Sequence, residues 1–290
     1  MDAILKFIID AFPAIMIIAF FFGFTIFTIF WLRCGPTVVG GNNIFFPKKK
    51  KVLPTSVPST SELVCRDDYL HVFWLSVTYR LVPDGRGILG VYLLKWLFSG
   101  QISVVPNSTD FDFTKLLASE NSLENVLYNY FLVTATDGIV HLEDVKKWFY
   151  SNYIIVEKTI DDFLDTETTK LKQEGKVVDK KRLSNSFQIV SDDLYREASE
   201  LRGLRMFFKS AEKTNSQDQF TSGLFRYYIV YGQLLRVEDE VISLLKKFHP
   251  EYLDSANYTY DDILNVISLG NCVYEEILSA KRWASNTMND

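Results

Sequence analysis

Apolar residues run without a single charge from Ala11 to Leu32, AFPAIMIIAFFFGFTIFTIFWL, whereas every later apolar segment is interrupted by polar positions at helical or strand spacing. The first pattern predicts a membrane-spanning helix. Its 22 residues make roughly 33 Å of helix, about the thickness of a bilayer's hydrocarbon core. Pro13 falls in the first turn, where its missing N–H costs little. Arg33 and Cys34, not a small-residue cleavage site, follow the run, which predicts an uncleaved anchor. Ala19 and Gly23 stand four apart, a spacing common in apolar helices that could also let a second helix, such as that of another copy, approach closely.

The second pattern predicts a body that is mainly α with small α+β winged-helix-like units. Tyr69 to Leu81 is too short to cross a membrane. Pro83-Asp84-Gly85 is turn chemistry. Ile88 to Phe98 reads as a buried helix stopped by Ser99-Gly100, and Gln101 to Val105 as a short strand. Asn121 to Thr134 repeats the theme, with Asn121 and Glu124 spaced as a cap. Asp137-Gly138 turns the chain, Ile139-Val140 is a short strand and Leu142 to Tyr150 a helix. Thr159 with Asp162 predicts the start of a third helix, closed by Gly175. Lys176 to Val190 then alternates around a polar Asp179 to Ser186 loop, as a β wing does.

The last third predicts helices over Asp192 to Lys213 and Phe220 to Phe248, the latter broken near Arg236 to Glu240 and ended by Pro250. Thr259 with Asp262 opens a final helix running to Trp283. Tyr228, Tyr231 and Leu235 share a stripe with Leu224 and are expected in the core, and Gly232 is expected to admit a neighbouring helix. Arg202, Arg205 and Lys209 are expected on a solvated face.

The resulting organisation is a tip (1–10), a transmembrane helix (11–32), a basic Pro/Gly-rich juxtamembrane linker (33–61), a winged-helix-like region (62–190) and a C-terminal helical subdomain (191–290). Charge then orients the chain. The tip sums to −1, while Arg33 and the run Lys48, Lys49, Lys50 and Lys51 follow the span, so the positive-inside rule places the N-terminus outside and the body in the cytoplasm. Those five basic residues with Phe45 and Phe46 suit a segment lying on anionic lipid. Residues 1–61 carry +4 of a total of −5, leaving −9 on 62–290. An acidic body argues against nucleic acid as a partner.

Candidate chemistry changes the picture little. Cys34, Cys65 and Cys272 are far apart and odd in number, which fits reduced thiols. His71, His141 and His249 are scattered and show no metal-ligand spacing, so no metal, cofactor or catalytic residue is predicted from them. No G-x-S-x-G, H-E-x-x-H or G-x-x-x-x-G-K-[ST] motif occurs.

ELRGLRMFFKSAEK and LFRYYIVYGQLLRVEDEVISLLKKFHPEYL resemble the C-terminal half of a bacterial membrane-protein family, domain of unknown function 2207. The matching positions are Leu201, Gly203, Leu204 and Phe207, then Tyr228, Tyr231, Leu235 and Val237, then Pro250 and Tyr252. DGIVHLEDVKKWF and, more weakly, GVYLLKWLFSGQISV are similar to upstream elements of the family, so the resemblance spans roughly residues 80–253. It implies a cytoplasmic location and adds no site. Arg236 departs from it, standing where the family usually has Gly. About ten residues precede the span where the family has a large extracellular β domain, and Asp261 to Ala284 reads as a soluble helix in place of its later spans. The expected function is therefore a single-pass anchored protein whose cytoplasmic domain binds other membrane or cytoplasmic proteins as a scaffold or assembly factor. A membrane-tethered winged-helix regulator contacting nucleic acid is the alternative.

Overall fold

The computed structural model of the protein describes residues 37–39, 42–44, 53, 57–82, 87–113, 122–182, 185–214, 222–253 and 258–287. The stretch 11–32, with Ala19 and Gly23, and the membrane-surface set Arg33, Phe45, Phe46, Lys48, Lys49, Lys50 and Lys51 lie outside the described residues. No helix among the described residues is long and apolar enough to cross a membrane.

Those residues are mainly helical, with small antiparallel sheets. After the short pair β1 (Thr37–Val39) and β2 (Asn42–Ile44) come α1 (Tyr69–Thr78) and α2 (Gly87–Ser99). Strands β3 (Ser103–Val104) and β4 (Phe111–Asp112) lead to α3 (Leu123–Leu132), β5 (Ala135–Thr136) and β6 (Ile139–Val140). Helices α4 (Leu142–Ser151) and α5 (Tyr153–Gln173), the hairpin β7 (Val177–Arg182) and β8 (Asn185–Val190), and α6 (Asp192–Thr214) follow. The chain closes with α7 (Phe225–Leu235), α8 (Glu238–Phe248) and α9 (Tyr260–Thr287).

Helix α2 organises the packing. Eleven of its thirteen residues are buried, and it lies against α1, α7 and α9. Glycines let α9 cross α2 closely: a Cβ on Gly270 of α9 would stand 2.8 Å from the Cα of Gly90. At its other end Trp96 meets Tyr128 edge-on, with ring centroids 5.0 Å apart, and its indole N–H donates to Glu124 at 3.0 Å. Helix α1 packs on α5 and α6, and α8 on α6 and α7. One continuous core therefore crosses the boundary drawn at residue 190, from Leu53 to Ile277.

Several local signals are realised as read. Thr259 and Asp262 cap each other reciprocally at 2.8 and 3.2 Å, and Gly175 closes α5 at φ 72°. Tyr228, Tyr231 and Leu235 are buried, and a Cβ on Gly232 would meet Val241 at 3.0 Å. Others are corrected. Thr159 opens no helix, because α5 begins six residues earlier, at Tyr153, and the Thr159 hydroxyl instead hydrogen-bonds Tyr130 at 2.7 Å. The expected 179–186 loop is mostly strand, paired from Val177↔Val190 to Arg182↔Asn185. Strand β6 pairs with β4 and β5, giving the order β3-β4-β6-β5, while β7 and β8 pair with each other. The segment read as a linker holds the β1–β2 pair, with β2 beside β8, and Leu53 is buried against the body.

The break between α7 and α8 is sharp because Arg236 adopts the left-handed conformation at φ 59°, while Val237 N–H returns to the Gly232 carbonyl at 2.9 Å. Its guanidinium donates to Asn271 at 2.8 Å. Arg236→Gly relieves the backbone cost but loses both the Asn271 bond and the ion pair with buried Glu238 at 3.3 Å, so stability should fall by about 1–2 kcal/mol. Arg236→Val loses the same partners and keeps a β-branched residue in the left-handed conformation, so it should cost about 1–2 kcal/mol more. Thermal denaturation of the detergent-solubilised chain reads both; equal losses would assign the position's importance to the guanidinium.

Candidate functional site

Four titratable side chains from separate stretches of the chain meet beside α1. Asp68 caps α1 by accepting from the His71 N–H at 3.0 Å, which sets His71 in the first turn facing inward. The imidazole lies between two carboxylates. Nδ1 is 2.8 Å from Glu167 Oε1 on α5, and Nε2 is 2.9 Å from Glu197 Oε2 on α6. His71 and Glu167 are only 5% and 3% exposed, so both polar groups depend on these partners. Cys65 completes the group: one ligand atom each from Cys65, His71 and Glu197 lies within 4.8 Å of the others.

The loop carrying Cys65 is held from outside. Cys65 and Asp67 both take left-handed backbone conformations, at φ 48° and 68°. The Tyr231 hydroxyl donates to the carbonyls of Val64 and Cys65, and the Tyr227 hydroxyl donates to Asp67 at 3.0 Å. Lys170 reaches Glu167 and Asp68, each at 3.2 Å. Burial disfavours a charge on His71, yet hydrogen bonds to Cys65, Glu167 and Glu197 outweigh it and push the imidazole up to about 11. The same His71 contact holds the Glu197 carboxyl below its ordinary range, against the opposing effect of burial.

A second feature is basic. Arg80, Arg202, Arg205 and Lys209, with Leu81 and Met206, line a cleft of about 250 Å³. Arg202 and Arg205 are more engaged than a solvated face implies. Arg202 donates to the Leu53 carbonyl at 3.1 Å, and Arg205 to the Leu235 carbonyl at 2.9 Å. Burial pulls the Arg205 guanidinium below its usual value. A third feature is apolar and exposed: Tyr150, Ile154 and Ile155 stand out at the α4–α5 corner. The Lys281–Glu157 ion pair at 2.8 Å brings the end of α9, with exposed Trp283, to the start of α5.

Sequence reasoning set His71 aside as isolated and missed its convergence with Cys65, Glu167 and Glu197, which are separated by up to 132 positions. The usable signal was a histidine and a glutamate on otherwise apolar helix faces, since such groups are buried only with partners. His141 pairs instead with Asp110 at 3.0 Å and His249 with Glu251 at 3.2 Å. In comparisons with protein-family models, curated proteins and solved structures, nothing matches this chain.

Proposed function

We propose that this chain is a single-pass membrane-anchored protein whose helical body, on the cytoplasmic side, docks other proteins as a scaffold or assembly module without catalysis of its own. The observation that carries the placement is the basic cleft. Arg202 grips the Leu53 carbonyl, so four cationic side chains gather where the chain coming from the apolar 11–32 stretch joins the body. That surface suits anionic headgroups, at about 1 kcal/mol per basic residue near the membrane, and it adds to Arg33 and Lys48–Lys51. The resemblance of residues 80–253 to the cytoplasmic part of the domain 2207 family supports the same placement.

The docking surface in this reading is the apolar corner of Tyr150, Ile154 and Ile155. It lies on α4 and α5, which with the β7–β8 hairpin make a helix–turn–helix followed by a wing-like ribbon, a winged-helix-like unit. Helix α5 carries Asp161, Asp162 and Asp165, which favours a protein partner over nucleic acid. In native membranes, crosslinking of the full chain should capture a partner that Ile154→Asp reduces about tenfold or more. Because Ile154 is 63% exposed, the variant should keep its stability. A reporter fused after Asp290 should read as cytoplasmic. An exported reporter would overturn the orientation, and undiminished crosslinking by Ile154→Asp would overturn the docking surface.

A further inference from the structure

We propose that Cys65, His71 and Glu197 form a binding site for one divalent metal ion of the zinc class, with Glu167 as the residue that positions the imidazole. The donor set is mixed: one thiol, one imidazole nitrogen and one carboxylate oxygen, all within 4.8 Å of one another. Sulfur and nitrogen donors select zinc, cobalt or nickel over magnesium and calcium, which take oxygen. The spacing needs little change. Donors about 2.0–2.3 Å from a tetrahedral ion stand roughly 3.3–3.8 Å from each other; the three here already lie within 4.8 Å of one another, and Nε2 and Glu197 Oε2, now 2.9 Å apart, open slightly.

The partner of the other ring nitrogen is the more telling feature. Glu167, buried on α5, holds Nδ1 at 2.8 Å. A carboxylate on the nitrogen opposite the metal fixes the tautomer that leaves Nε2 as the donor, the usual support of a metal-bound histidine. Lys170 in turn holds Glu167, at 3.2 Å. Cys65 is half-buried and the Glu197 side chain is 21% exposed, so an ion can reach the site from solvent and keep a water in its fourth position.

The full chain, purified in detergent under reducing conditions without chelator and then dialysed against zinc or cobalt, tests this. About one zinc per chain should remain after desalting, and cobalt should give the intense visible ligand-field bands of a tetrahedral ion with a sulfur-to-cobalt charge-transfer band. Cys65→Ser should abolish the charge-transfer band while leaving the far-ultraviolet circular dichroism unchanged, because serine is nearly the size of cysteine and the position is only half-buried. Glu167→Gln should keep the spectrum and weaken affinity by about 10–100-fold. His71→Ala should remove binding. A folded wild-type chain that retains no zinc and gives no tetrahedral cobalt spectrum would overturn the site and leave a self-contained ion triad, as would a charge-transfer band unaffected by Cys65→Ser.

Discussion

Gly270→Val is expected to destabilise the protein by about 3 kcal/mol or more. A Cβ at that position would stand 2.8 Å from the Cα and 3.2 Å from the amide nitrogen of Gly90. Both are backbone atoms, so no rotamer change relieves the contact. Helix α9 must then move off α2, the helix on which α1 and α7 also pack. Overpacking typically costs 1–3 kcal/mol when side chains can shift; here the helices themselves have to separate. Gly223, with nothing within 4 Å of its own Cβ position, is the control, and Gly223→Ala should change little. Thermal unfolding followed by circular dichroism reads both. A Gly270→Val chain as stable as the original would mean that α9 can leave α2 without disturbing the rest of the body.

Tyr231→Ala should cost a comparable amount for a different reason. Its ring is fully buried and edge-on to Tyr69 at 6.3 Å, and its hydroxyl donates to the Val64 and Cys65 carbonyls. Removing a buried aromatic ring typically costs about 3–5 kcal/mol. The melting temperature should therefore fall by about 6–20 °C for a body of this size. Tyr231→Phe separates the causes, since it keeps the ring and loses only the hydroxyl's bonds, at about 1 kcal/mol. A Tyr231→Ala chain that melts normally but loses a crosslinked partner would move the aromatic stripe from core to recognition surface.

How much of this was legible depended on whether the signal was local. The Thr259–Asp262 cap, Gly175 after α5 and the stripe of Tyr228, Tyr231 and Leu235 rest on residues within one or two turns, and each is where its spacing placed it. The α4–α5 joint was misread because no Gly or Pro marks it. One residue, Asn152, makes the corner at φ −115° and ψ 19°, with its side-chain amide on the Trp148 carbonyl at 2.9 Å. A cap-like Thr159 then offered a false start within an already formed helix. The Gly90–Gly270 crossing was invisible for another reason. Either glycine alone reads as a mild weakness in a helix, and the pair has meaning only once α2 and α9 touch. Cys65, His71, Glu167 and Glu197 likewise come from the loop before α1 and from three helices, so no window of sequence contains the site.

The β1–β2 pair beside β8 also has a mechanical meaning. With 11–32 in the bilayer, residues 33–36 alone lead from the last apolar position to Thr37, and five Cα steps span less than about 20 Å even when fully extended. On the proposed placement the body would therefore be on a very short leash, able to pivot but not to swing out into the cytosol. Its search for partners would then be confined to a layer about one body-thickness deep along the membrane, where a partner in the same bilayer would meet it at a raised effective concentration. A small apolar corner such as that around Ile154, too modest to hold a freely diffusing protein, would suffice for a neighbour held at the same height.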